Sequence, residues 1–203
     1  MIMKTKIITL ILLCISVQGF SQKLKTFTAS PGDSSSWEAI WVELNGGCSL
    51  GCAIGWTLDA TSSLPTHDTI TYVPDNMNDG NRNTAWVEGS KDFGIGEKII
   101  IRFDTTEHVP GVSFYCLTLT NGYAKSEALW ADNSRVKKMK LIKNGKPLFY
   151  IHLLDTMIPQ SIRWNYQLML ASGDVIELEI VDVYKGRKWK DTAISDLSLM
   201  GAH

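Results

Sequence analysis

The chain has 203 residues, 44% of them hydrophobic and 20% charged, with a formal net charge of −1. That is the profile of a globular protein long enough to bury a real core. Its 20 Lys+Arg balance 21 Asp+Glu, so no general excess of positive charge exists for a polyanion, and nucleic acid is not an expected partner.

Lys4 and Lys6 precede an apolar run from Ile7 to Val17, and Gly19 and Ser21 supply the small residues that a signal peptidase reads. Residues 1–21 are therefore expected to be a signal peptide cleaved near Ser21, with the mature protein secreted, periplasmic or held in the cell envelope. The run is too short for a membrane span of about 20 residues, and no second one follows, so no transmembrane anchor is expected. Cys14 is a weak candidate for lipidation because the bulky Leu13 precedes it. Residues 22–47 read as an N-terminal segment with one extra strand, "EAIWVEL", and "SPGDSSS" at 30–36 as a flexible lead-in.

The domain proper is expected over 48–203. In "GGCSLGCAIGW" the glycines permit the tight backbone of a short bridge, which favours a Cys48–Cys52 disulfide in an exported chain. A bridge to Cys116 or a metal site are the alternatives, and the metal site lacks a nearby His or fourth thiol. Strands are predicted at "TITYV", "EKIIIRF", "GVSFYCLTL", "VKKMKLI", "LFYIHLL", "QSIRWNYQLML" and "DVIELEIVDVY", all short, β-branched or aromatic, and punctuated by Gly, Asn, Asp or Pro. Cys116 falls inside one of them and reads as a buried strand thiol. Asn-Gly in "KNGK" predicts a type I′ hairpin. No long helical stripe competes, and the strand spacing predicts an all-β sandwich.

Between "TITYV" and "EKIIIRF" lies "NMNDGNRNTAWVEG". Asp-Gly-Asn followed by Thr gathers a carboxylate, turn carbonyls and a hydroxyl, a hard-oxygen set suited to Ca²⁺. The plainer alternative is an Asx turn by Asn76, Asn78 and Asp79 without an ion. Trp86 beyond it is expected in the core. A second cluster joins Tyr123, Lys125, Asn133, Arg135 and Lys137 to Tyr184, Lys185, Lys188 and Asp191. Amide, guanidinium and ammonium donors beside aromatic faces suit a sugar or an acidic sugar. The same pattern also describes a solvated sheet edge on which Lys137, Lys138 and Lys140 prevent edge pairing.

Catalysis finds little support. His67, His108, His152 and His203 are scattered, and "GIGE" precedes a strand rather than the helix a phosphate loop needs. Glu88 and Asp92 are the carboxylate pair on which a small-hydrolase alternative rests.

"DNMNDGNRNTAWVEG", "FGIGEKIIIRF", "NGYAKSEALWADNSRVKKMKL", "LLDT" and "VYKGRKWKDTAISDLSLMG" together resemble, over residues 48 to 201, the discoidin-like (F5/8 type C, galactose-binding-like) domains. The resemblance is closest to the NADase-type glycan-binding, or translocation, subgroup. It implies an eight-stranded discoidin-like jelly-roll β-sandwich with a structural Ca²⁺ held by Asp79, Asn81, Thr84 and, where the family shows Glu, Asp196. It also implies a loop surface for a glycan or glycoconjugate at Tyr123, Lys125, Asn133 and Arg135, joined by Tyr184 and Lys188. The expected function is a secreted, non-catalytic carbohydrate-binding module, with a protein-interaction or adhesion module at the bacterial cell surface as the alternative. NAD hydrolysis in this family belongs to a separate attached domain.

Overall fold

A computed structural model of the chain describes residues 23–32, 48–50, 53–104 and 111–202. The proposed signal peptide, the "EAIWVEL" strand and the partner thiol Cys52 lie outside the described residues, as does the side chain of Cys48.

Eight strands build two layers. One holds β10 (Gln160–Leu170), β7 (Val112–Asn121) and β12 (Thr192–Ala202), antiparallel in that order. The other holds β9 (Lys146–His152), β8 (Ser134–Lys143), β11 (Val175–Tyr184), β6 (Lys98–Phe103) and β4 (Trp56–Ala60). The expected eight-stranded sandwich is thus present, but it carries additions that raise the described strands to twelve. β1 (Lys25–Thr28) runs parallel to β9, β2 (Ser30–Pro31) pairs with β10, and β3 (Cys48–Ser49) and β5 (Trp86–Val87) pair with β12. Ser30 and Pro31, expected in a flexible lead-in, are therefore part of a sheet.

The alternation read from the sequence explains the core. Along β10, Ile162, Trp164, Leu168 and Leu170 turn inward while Arg163, Asn165, Tyr166, Gln167 and Met169 face out. Phe114, Phe149 and Trp164 stack edge to face or tilted with centroids 4.6 and 5.2 Å apart between the layers. Trp86 is fully buried, as expected, and its Nε1 donates to Ser62 O at 3.0 Å. Cys116 is buried and free, and burial pushes its thiol up to about 11.

The hairpin at 144–145 has φ of +49° at Asn144 and +75° at Gly145, the double left-handed turn that Asn-Gly favours. "TITYV" departs from expectation. It forms no strand, only a bridge between His67 and Ile70 before a 3-10 turn at Pro74–Met77. Pro74 cannot donate to a ladder, and the Tyr72 carbonyl is instead met by the Val87 N–H. The C-terminal β12 and the short β4 were not singled out as strands. Ser195, whose Oγ accepts from Ala124 N, and Asp196 interrupt the apolar alternation of β12.

Candidate functional site

One end of the sandwich gathers the loops 88–97, 122–133, 153–159 and 185–191. Asn121, fully buried at the end of β7, joins the two layers there. Its Nδ2 donates to Val136 O at 2.7 Å and its Oδ1 accepts from Val136 N at 3.0 Å. Gly122, at φ +85°, then lets the chain pass under Trp130, and a Cβ at this position would lie 2.6 Å from the indole. The Trp130 Nε1 accordingly reaches Asn121 O at 2.8 Å.

A helix absent from the expectations, α1 (Glu127–Asp132), fills the loop 122–133. Ser126 caps its start by accepting from Leu129 N, and Asn133 ends it by donating from Nδ2 to Leu129 O at 2.9 Å. The loop 185–191 docks on the helix C-terminus. Backbone N–H groups of Arg187, Lys188 and Trp189 meet the carbonyls of Ala131 and Asp132, at 2.8 to 3.1 Å. Gly186 permits this approach, since a Cβ there would sit 2.3 Å from Asp132 O. The Arg187 guanidinium also pairs with Asp132 at 3.1 Å.

Arg135 differs most from the sequence reading. Its side chain is only 8% exposed and its fork is taken: Nε and Nη2 reach the Asp155 carboxylate at 2.8 and 3.1 Å. Nη1 donates to Asn133 O at 2.8 Å and Trp130 O at 3.3 Å, and the guanidinium lies 4.4 Å from the Trp130 ring centroid. Arg135, expected at the glycan surface, is buried, and its donor fork braces the loops. Asn133 is likewise buried and committed as the helix cap.

Tyr123 is buried beside Ala85, Val87 and Ala193, with its ring 6.4 Å from Tyr72, and burial raises its phenol above the ordinary value. Tyr184 is half-buried and donates from its hydroxyl to Leu153 O at 2.9 Å. Lys125 and Lys188 are exposed, the latter with its ammonium 4.5 Å from the Trp189 ring.

Beside this frame lies an open groove of about 490 Å³, lined by Glu127, Ala128, Trp130, Ala131, Met157 and Arg187. That is the size range of small-ligand sites. Sequence reasoning passed over all six residues. The Ser126 cap signal could have revealed the helix that carries four of them, whereas Met157 and Arg187 reach it only through tertiary folding.

At the candidate ion site, Asp79 Oδ1 accepts from Asn81 N at 2.8 Å, and Thr84 Oγ1 lies 2.7 Å from Asp79 Oδ2 and 2.6 Å from Asn81 O. One hydroxyl proton thus stands between two acceptors, which leaves an oxygen-rich point. Asp196 is largely buried, and its carboxyl is pushed up to about 6, chiefly by burial and further by the charge of Asp79, with Arg82 acting in the opposite sense. Two carboxylates close enough to feel each other's charge, with hydroxyl and carbonyl oxygens beside Asp79, are a donor set of the kind a hard cation takes. No group of three or more His, Cys, Asp or Glu side chains gathers among the described residues, so amide, hydroxyl and carbonyl oxygens would have to complete the shell.

Glu88 and Asp92 do not form a reactive pair. Glu88 is fully buried, with Oε2 accepting from Ser90 N at 2.7 Å and Oε1 from Thr192 N at 3.2 Å, and burial raises its carboxyl above the usual value. Asp92 is exposed and caps its own turn through Ser90 and Gly94. Among the described residues, no helix is long and apolar enough to cross a membrane.

No curated protein sequence matches the chain. Solved structures similar in fold include the CBM32-1 and CBM32-2 domains of Clostridium perfringens ZmpB, at TM-score 0.59 and 9% identity, covering 92% of this chain and 43% of that one. The chain thus spans under half of that structure. The family 32 carbohydrate-binding module of Streptococcus pneumoniae EndoD has TM-score 0.50 and 16% identity, covering 72% of this chain and 96% of the module. The C-terminal domain of a chitobiase from Bacteroides fragilis has TM-score 0.50 and 15% identity, covering 77% and 97%. At these identities the likeness establishes the fold. Residues 51–200 match the family described as NAD glycohydrolase translocation F5/8 type C domain, and over that span the chain belongs to this family.

Proposed function

We propose that this chain is a secreted, non-catalytic glycan-binding module stabilised by a structural Ca²⁺, with its ligand seated in the groove beside α1. The groove carries the reading. An indole, a Met and two small alanines offer apolar surface to a sugar ring, while Glu127 and Arg187 offer an acceptor and donors to its hydroxyls. Arg135 and Asn133 hold the wall in place from behind. Asp79, Thr84, the Asn81 carbonyl and Asp196 would hold the cation, whose charge would offset the repulsion between the two carboxylates and fix the loop.

The test is a glycan array with the parent and with Ala128→Arg, which fills the groove from an exposed position without touching the braced interior. Binding by the parent and its loss in the variant, at unchanged melting temperature, is the expected result. Full binding by the variant, or no glycan bound by the parent, would overturn the reading. The second of these outcomes would leave the protein-interaction or adhesion reading to be pursued.

A further inference from the structure

Four cations fall within residues 185 to 190: Lys185, Arg187, Lys188 and Lys190. Four of the sheet lysines are neutralised, whereas Lys138 lies over the Tyr150 ring at 4.0 Å. Lys98, Lys137, Lys140 and Lys143 each pair with a carboxylate at 2.5 to 3.0 Å. None of the ion pairs among the described residues uses Lys185, Lys188 or Lys190. These three lie instead against ring faces. The ammonium groups of Lys185 and Lys190 are 5.1 and 5.8 Å from the centroid of Phe93, and that of Lys188 is 4.5 Å from Trp189, a ring 45% exposed.

Three of the nearby acids are already occupied. Glu88 is buried with both oxygens taken by backbone N–H groups, Asp92 caps its own turn, and Asp132 holds Arg187. Asp191, half-buried at the loop's end, is the one remaining carboxylate of that loop, and it too is in none of these ion pairs.

Hydrogen bonds tie the platform to the rest of the fold. Thr192 Oγ1 donates to Phe93 O at 2.9 Å, Glu88 ties Ser90 to Thr192, and the 185–191 loop is pinned to the C-terminus of α1. A ring face holds an ammonium without neutralising its charge, so these cations stay available to an anion. Arg187, in the middle of the run, is also a wall of the groove.

The geometry points to an acidic polysaccharide as the ligand, with one neutral or polar unit in the groove and its carboxylate- or sulfate-bearing neighbour on the Phe93–Lys185–Lys190 and Lys188–Trp189 platform. This inference rests on the proposed glycan-binding function and specifies its charge class. The continuity through Arg187 favours a polymer over a lipid surface, because a chain leaving the groove on that side meets the lysines. A membrane would instead call for several apolar side chains projecting together, and at this end of the sandwich Trp189, Ile95 and Ile158 are exposed from three separate loops, so binding to vesicles decides between the two. A local patch also accommodates a net charge of −1, which a general nucleic-acid surface does not.

The experiment measures binding of the whole chain to polygalacturonate, to dextran sulfate and to uncharged dextran, at low and high salt, by calorimetry. The triple variant Lys185→Gln/Lys188→Gln/Lys190→Gln is compared with Lys146→Gln in the distant hairpin. The parent and Lys146→Gln should prefer an acidic polymer to dextran, and salt should weaken that binding. The triple variant should lose about tenfold or more in affinity, which corresponds to about 1.4 kcal/mol or more, while keeping its melting temperature. Equal affinity for dextran, an unchanged triple variant, or preferential binding of phosphatidylserine vesicles or DNA would overturn the inference. If neutral glycans still bind and Ala128→Arg abolishes that binding, the groove reading survives a failure here. If no carbohydrate of either charge binds, both fail.

Discussion

Replacing Arg135 by Ala should destabilise the protein severely. The side chain is 8% exposed and delivers four hydrogen bonds, two to Asp155 and one each to the carbonyls of Asn133 and Trp130. Removing one partner of a buried pair costs about 3–5 kcal/mol. Asp155, however, is 39% exposed and is rehydrated when its partner leaves, which places the pair at the low end of that range. The two carbonyls lose a charged donor, and the Trp130 face loses its cover. A loss of about 3 kcal/mol, at roughly 2–4 °C per kcal/mol for a domain of this size, lowers Tm by about 6–12 °C. Arg135→Lys, which keeps the charge but not the fork, should fall between parent and Ala. Differential scanning calorimetry of the three proteins reads this directly. A drop below about 2 °C for the Ala variant, as for an ordinary surface change, would refute the bracing role.

Ca²⁺ should raise Tm and a chelator lower it, and Asp79→Ala should remove the difference. With the ion at 100 times its Kd the gain is about 2.7 kcal/mol, and equal melting curves with and without it would end the calcium proposal. In the metal-free protein the Asp196 carboxyl is held at about 6, above its usual value, so the folded state prefers the proton. Its contribution to stability is therefore lost as pH rises from the ordinary carboxylate range through about 6, and the Ca²⁺ gain should be larger at about pH 7.5 than at about pH 5. A gain independent of pH would show that Asp196 is not a ligand. Cys116, with its thiol held up at about 11, should resist alkylation in the native protein near about pH 8 and react on unfolding. Rapid labelling of the folded chain at Cys116 would contradict its burial.

Much of this protein is decided by local chemistry. Alternation along Gln160–Leu170 predicted a strand with those bounds, and Asn144-Gly145 predicted the turn that joins β8 to β9, because side-chain period and left-handed backbone are properties of adjacent residues. The Asp-Gly-Asn run likewise announced a turn rich in oxygen. The loop end was legible only as a set of interesting letters. Whether Arg135 faced a ligand or the interior depended on Asp155, 20 residues on, and Arg187 met Asp132 across 55 residues, while Glu88 reached Thr192 across 104. Polar side chains have no inherent direction: a guanidinium serves equally as a brace or as a ligand fork until folding supplies a carboxylate. The lysines of 185–190 show the converse, since Glu88, Asp92 and Asp132 are engaged by other groups that tertiary structure brings to them. The sequence by itself determined that a β-sandwich would form and most of the segments that build it, β4 and β12 excepted, because burying alternating apolar faces leaves few other solutions. Only the tertiary structure decided which charges are spent inside the fold and which remain at its surface, because pairing is settled by distance in space.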